Sequence, residues 1–417
     1  MDKQDNSKRE FDIIVWGASS YMGQLIAEHL LSTYGANTGL RWAMGGRNSD
    51  KLLAARDRLG PGAEQISIIL AESHDRELLD AMTKRTRVIC SSVGPYQFYG
   101  EELVASCIEN GTDYCDLTGE FLWIRKMIDK YEVKSRERNV RLVNSCGFDS
   151  LPSDLGTLFV QAEFKKRYGE FSPEVSMRVE HGFLGVKPSG GTIASILGSF
   201  ELVAKDKQLM KLAYNPNGLL PNDAAKSTRD MDVKYPKYEQ EIKSWVAPYL
   251  MASGNTKIVR RGNALMKYRY GRDFLYGEGI CSGVGIRGWW RATKATFSLY
   301  SMITMMAIGF TRDRLRRKLP QPGEGMSRVE RESGSYSLVF IARHPVDTQK
   351  NVRAEISGKR DMGYGSSSRM IGEAAVCLAL DESSRSVPGG FWTPASCLGE
   401  HLIERLQRNA EIKFSIR

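Results

Sequence analysis

Over the first 150 residues, short apolar segments alternate with amphipathic ones, and this rhythm restricts the fold more than any other feature. Phe11 to Trp16 is apolar and strand-like. The stretch from Tyr21 to Tyr34 carries Met22, Ile26 and Leu30 on one helical face. Further strands are expected at 41–45, 65–70, 87–91, 114–117 and 140–144, with helices at 51–59, 75–83, 101–110 and 121–138. Strict β-α alternation with short connections implies a parallel, doubly wound sheet. After Asp154 the rhythm changes. Strand character at 175–180, 337–343 and 351–357 suits an α+β domain with a mixed sheet. Helices are expected at 192–204, 366–380 and 396–408, and 219–241 reads as a long surface excursion.

The turn after the first strand is Gly17-Ala18-Ser19-Ser20-Tyr21-Met22-Gly23. Gly17 permits a tight exit from the strand, and Gly23 lets the helix pack closely on the sheet. Backbone N–H groups of 19–22 then face an anion at the helix N-terminus, which is how a pyrophosphate is held. The usual middle glycine is Ser20 here, whose hydroxyl can itself donate. The second strand ends in Gly45-Gly46-Arg47-Asn48. An acid at this place would bind the ribose 2′-hydroxyl of NAD; Arg47 instead suits a 2′-phosphate, so the expected cofactor is NADP. The Gly-Gly pair is expected to let the ligand approach.

Three further loops follow the fourth, fifth and sixth strands, at 91–100, 113–120 and 144–154. Open α/β sheets bind ligands at these carboxyl ends. Reduction of a polarised double bond needs a proton donor there. The candidates for catalysis are Tyr96, Glu120 and Asp149, beside Tyr99, Asp116 and Ser150. Each has a plain structural alternative: Asp149 and Ser150 suit a helix cap near Pro152, Asp116 a turn, and Tyr96 packing against the cofactor. Cys146 and His181 are further donors, for which a structural role is the commoner one.

The strings GASSYMG, GGRN, VGPYQFYG, GTDYCDLTGE and CGFDSLPSDLG together resemble the saccharopine dehydrogenase-like oxidoreductases, closest to the subgroup of bacterial trans-acting enoyl reductases. SGGTIAS (189–195), KIVRRGNAL (257–265), LPQPGEG (319–325) and WTPASCLGEHLIERL (392–406) extend the likeness over nearly the whole chain. The resemblance implies a nicotinamide cofactor and three parts: an NADP-binding Rossmann domain (1–155), a second domain (156–365), and C-terminal helices (366–417) returning to the first. It places Gly17, Ser19, Ser20, Tyr21, Met22 and Gly23 on the phosphate loop and Arg47 and Asn48 at the adenosine end. Val93, Gly94 and Pro95 fall beside the nicotinamide ribose; Thr118, Gly119, Glu120, Gly147 and Phe148 edge the nicotinamide.

Composition narrows the partners. Seven scattered Cys without a close pair argue against a disulfide framework and a zinc site, and fit a reducing cytosol. Residues 257–318 hold 14 Lys and Arg against three acids, a net +11 that accounts for the whole excess of +10. The apolar run 297–310 is shorter than the ~20 residues of a bilayer span. A membrane surface or an anionic acyl carrier docking on 257–318 is one expectation, a solvated basic surface the other. The expected activity is NADPH-dependent reduction of an unsaturated acyl or lipid-like carbonyl compound in the cytoplasm or at the inner membrane face. The alternatives are a saccharopine or amino-acid imine dehydrogenase and a non-catalytic NADP-binding scaffold. A homodimer is an open expectation; nucleic acid is not expected.

Overall fold

The computed structural model describes residues 9–36, 38–182, 190–221, 231–318, 326–381 and 386–417, without the side chains of 190–193 and 315–318. Ser189 of SGGTIAS, all of LPQPGEG (319–325) and residues 222–230 of the 219–241 stretch lie outside the described residues.

The first sheet is fully parallel, in the order β13-β6-β5-β4-β1-β2-β3. Its strands are β1 (Phe11–Trp16), β2 (Trp42–Gly46), β3 (Ser67–Leu70), β4 (Thr86–Ser91), β5 (Asp113–Asp116), β6 (Arg141–Val143) and β13 (Gly390–Trp392). All six residues of β1 are buried, as expected for a central strand covered on both faces. The helices that return the chain between strands are α1 (Tyr21–Tyr34), α2 (Ser49–Asp57), α3 (Arg76–Thr83), α4 (Tyr96–Tyr99), α5 (Glu101–Glu109) and α6 (Phe121–Glu137). This is the doubly wound Rossmann order, with its crevice between β1 and β4.

Helix α7 (Leu151–Tyr168) carries the chain into the second domain. There β7 (Glu174–His181), β8 (Lys237–Glu239), β9 (Ser244–Ala247), β10 (Leu275–Gly283), β11 (Tyr336–Arg343), β12 (Val352–Gly358) and β14 (Ile412–Ile416) form a mixed sheet, in the order β14-β12-β11-β7-β10-β9-β8. Only the β10–β7 pair is parallel. Between the strands of this domain the chain also forms α8 (Gly190–Lys205), α9 (Lys207–Tyr214), α10 (Ala252–Leu265), α11 (Gly285–Ala307) and α12 (Gly309–Lys318), of which α11 packs on β9 and β10.

Strand β10, Leu-Tyr-Gly-Glu-Gly-Ile-Cys-Ser-Gly, has no apolar alternation, and sequence reasoning missed it. Its glycines are steric: a Cβ at Gly277 would lie 2.2 Å from the Met231 carbonyl oxygen, and one at Gly279 2.4 Å from Val246. The 219–241 stretch is not a plain surface excursion at its ends, because Leu219 and Leu220 are buried and β8 closes it.

The C-terminal part contributes more than helices. It follows α13 (Arg328–Glu332) and the two strands β11 and β12, and comprises α14 (Ser367–Leu380), α15 (Pro394–Cys397) and α16 (Gly399–Asn409), with β13 added to the first sheet and β14 to the second. Helix α14 packs against α1, β1, β4 and β5. That contact holds a buried polar knot: Glu373 accepts from Tyr34 Oη at 2.7 Å and lies 2.8 Å from His29 Nε2. These partners keep its carboxylate below the ordinary range despite burial.

The basic excess of 257–318 is not one surface. Lys257, Arg260 and Arg261 are buried in α10. Arg261 donates to the carbonyls of Leu219 and Phe391 at 2.8 Å each, and Lys257 sits over the Phe121 ring. These cations join the two domains, and the exposed charge of the segment begins at Lys267, with Arg269 and Arg272 ahead of α11.

Candidate active site

The phosphate loop owes its shape to Gly17 and Gly23. Gly17 has φ +84°. A Cβ there would lie 2.6 Å from Val93 Cγ2; one at Gly23 would lie 2.1 Å from the Gly17 carbonyl oxygen. Nothing larger than glycine fits either place. Ser20 is the N-cap of α1, and its Oγ accepts from Gly23 N at 3.0 Å and lies 3.3 Å from Ser92 Oγ. The first turn of α1 holds no acid, so the positive end of the helix dipole is uncancelled. Ser19 is half-buried beside it. Tyr21 and Met22 turn away. The Tyr21 hydroxyl donates to the Met326 carbonyl and its ring meets Tyr364 edge-on at 5.1 Å, while Met22 packs on the core. These two residues therefore offer the loop backbone only.

Arg47 is exposed at the end of β2 and forms no hydrogen bond or ion pair with a described residue. Asn48 caps α2, accepting from Lys51 N at 2.9 Å. Gly45 is explained by packing: a Cβ would sit 2.9 Å from Ile14 Cγ2. Its neighbour Gly46 has ordinary room.

At the strand ends, most of the expected acid–base groups are tied to backbone. Glu120 is buried; it accepts from Tyr96 N at 2.9 Å and Gln97 N at 3.0 Å, capping α4, and from Ser195 Oγ of α8 at 2.7 Å. Burial nevertheless holds its carboxyl above the usual range. Tyr96 follows the Val93-Gly94-Pro95 turn, with its Oη buried and donating to the Ser91 carbonyl at 3.0 Å. Thr118 accepts from Glu120 N and donates its own N–H to Asp116. Asp116 also receives Asn144 Nδ2 at 2.7 Å and Ser145 N at 3.0 Å, and burial raises it to about 6. Phe148 donates its N–H to Ser367 Oγ at 2.9 Å, and its ring packs edge-on against Tyr336. A Cβ at Gly147 would lie 3.0 Å from Leu117 Cβ. Cys146 is fully buried with its thiol pushed up, and His181 is exposed at the end of β7.

Asp149 differs from all of these. It is half-buried, it caps nothing, and its carboxylate has no partner among the described residues. Burial alone raises it to about 6. It faces Gly119, where a Cβ would come within 3.4 Å of Oδ2. Its neighbour Ser150 also caps nothing: Ser150 Oγ donates to Asn255 Oδ1 at 2.9 Å.

That bond enters a network no sequence motif signalled. Asn255 donates to Glu278 at 3.0 Å, and Glu278 also accepts from Ser153 at 2.6 Å and Tyr276 at 2.7 Å. Fully buried on β10, Glu278 is raised by desolvation to about 7. The phenol of Tyr249 is pushed up by burial and, to a lesser extent, by the charges of Glu278 and Asp149. The only available signal was Glu278 itself, one of three acids in an otherwise basic stretch.

Curated relatives identify the lineage. A Mycobacterium tuberculosis protein provisionally named a trans-acting enoyl reductase is 35% identical over 414 residues, covering 95% of this chain and 96% of its own length. The trans-acting enoyl reductases of Mycobacterium bovis and Mycobacterium ulcerans are 32% and 30% identical, covering 96% and 99% of each chain. This chain belongs to the trans-acting enoyl reductase family. No family model matches it. Apo saccharopine dehydrogenase from Saccharomyces cerevisiae covers 98% of the chain at TM-score 0.51 and 13% identity, a likeness of fold. As a member of the enoyl reductase family the chain is an oxidoreductase, with the Rossmann loop at 17–23 after β1 and the carboxylates of Asp116, Glu120 and Asp149 at the ends of β5 and β6 in the same parallel sheet.

Proposed function

We propose that this chain is an NADPH-dependent reductase of an unsaturated acyl or lipid-like carbonyl substrate, with Asp149 as its proton-holding residue. The residues present fit a dinucleotide: a cradle at Gly17 and Gly23 that any Cβ would fill, and a helix N-terminus without an acid. Gly17, Ser19, Ser20 and Gly23 would hold the pyrophosphate, and Arg47 a 2′-phosphate. A nicotinamide dinucleotide bound there supplies the hydride.

What the chain itself must supply is position and a proton. The observation that carries the reading is the solitary Asp149 carboxylate at the strand ends. Its neighbours Asp116 and Glu120 spend their oxygens on backbone N–H groups. Among the described residues nothing bonds to either oxygen of Asp149, and at about 6 it holds a proton in slightly acidic solution and exchanges it near neutrality. Glu120 and Tyr96 are positioning residues that shape the turn beside it.

The test is consumption of NADPH and of NADH in the presence of an unsaturated acyl thioester, with the saturated product identified by mass. Saturated thioester formed with NADPH, and lost in Asp149→Asn with NADPH binding intact, supports the reading. NADPH oxidation on a cyclic or open-chain imine, without thioester reduction, would replace it by the imine dehydrogenase. Turnover with neither leaves the non-catalytic scaffold.

A further inference from the structure

Helix α11 is amphipathic in an unusual sense, because it carries a second apolar stripe away from the core. Gly288, Ala292, Thr296 and Met306 are its buried side, against β9, β10 and α8. Roughly opposite stand Ile286, Trp290 and Phe297, at i, i+4 and i+11, exposed at 73%, 60% and 75%. Phe310 of the following helix α12 is likewise exposed, at 79%. Isolated exposed apolar residues need no explanation, but several large ones aligned on the outer face of one helix do. Arg287, Arg291 and Lys294 are exposed along one flank of the stripe, and Arg314 lies beyond it on α12. From Gly285 to Ala307 there is no acidic residue at all.

We infer that this face of α11 and α12 docks on an anionic lipid surface. Aromatic and aliphatic side chains enter the headgroup–acyl boundary while flanking cations meet the headgroup charge. Charge argues for this occupant over a second copy of the chain, since a two-fold contact would set Arg287, Arg291 and Lys294 against their own equivalents. The shape argues for it over an acidic protein: the stripe runs along the crest of a helix and forms no groove. The patch also adjoins the site. Helix α8 gives Ser195 to Glu120, and its Leu197 clusters with Met306 and Met302 of α11. A lipid-bound substrate would thus have one helix between the surface and the strand ends. The inference does not rest on the catalytic reading.

The full-length protein is sedimented with phosphatidylcholine vesicles and with vesicles of seven parts phosphatidylcholine to three parts phosphatidylglycerol, at low and high salt. The expected result is binding to the anionic vesicles only, weakened at least about tenfold by high salt or by Arg287→Gln/Arg291→Gln/Lys294→Gln. Trp290→Glu/Phe297→Glu should abolish it, and both variants should keep the wild-type melting temperature because every altered side chain is exposed. Equal binding to neutral vesicles, or full binding by Trp290→Glu/Phe297→Glu, overturns the inference. So does a wild-type dimer, seen by light scattering, that ignores vesicles and becomes monomeric in that variant. Vesicle indifference with salt-sensitive capture of an acidic acyl carrier protein overturns it in favour of a protein partner.

Discussion

Ser195 of α8 donates its hydroxyl to Oε1 of Glu120 across 2.7 Å, and the same oxygen receives the N–H of Tyr96. One carboxylate therefore ties the turn after β4, the loop after β5 and a helix of the second domain. Glu120→Gln leaves a buried N–H facing an amide NH2, at a cost of about 1–3 kcal/mol; Ser195→Ala should cost about 0.5–1.5 kcal/mol. Urea unfolding of both single variants and the double should reveal coupling. Strictly additive losses would show that the contact does not link the domains.

Asp149 should govern the pH profile. Its folded value of about 6 lies above the ordinary carboxylate value. The stability that goes with the bound proton is therefore complete below pH ~4 and is lost as pH rises through about 6. Asp149→Asn avoids that loss and should be more stable than wild type at pH 7.5 by about 1–2 kcal/mol, allowing for partial solvent screening. At pH 4 the two should unfold alike. In wild type, kcat/KM for reduction should fall as pH rises past about 6, and the residual activity of Asp149→Asn should lack that limb. A variant with the wild-type profile would remove Asp149 from the chemistry.

Arg47 is exposed and has no bonded partner among the described residues, so it can meet a ligand. Arg47→Ala should weaken NADPH by about 1–3 kcal/mol and leave NADH nearly unchanged. Calorimetry at one salt concentration decides it, and tighter NADH than NADPH binding by wild type would reverse the cofactor preference.

The phosphate loop separates steric from capping roles. Gly17→Val places a branched side chain onto Val93 and into a positive φ, so both dinucleotides should be lost. Ser20→Ala removes the cap of α1 and should cost about 1 kcal/mol, whereas Ser20→Gly should cost only a few tenths. Thermal melts rank the three variants. If Ser20→Gly abolishes dinucleotide binding while melting normally, the hydroxyl is a ligand as well as a cap.

Much of this molecule was legible before folding. The apolar and amphipathic segments of residues 11–144 mark β1 to β6 and each α-helix between them except the short α4, because each buries what its own residue types declare; β13, which completes the sheet from far along the chain, left no such mark. Gly17 and Gly23 announced a steric need that local geometry confirms. Other features depend on neighbours far along the chain. Strand β10 is written in glycines because Met231 and Val246 press on it. Glu278 acquires a value of about 7 only because the fold buries it, against the lowering pull of hydrogen bonds from Ser153, Asn255 and Tyr276. Lys257 and Arg261 looked like solvated charge, yet carbonyls and a ring from other segments hold them inside. Asp149 and Glu120 are both acids in a strand-end loop, and no local pattern separates them. Glu120 finds backbone donors and Ser195 within reach while Asp149 finds none among the described residues, so tertiary packing, by deciding which oxygens are satisfied, made one a strut and the other a candidate acid.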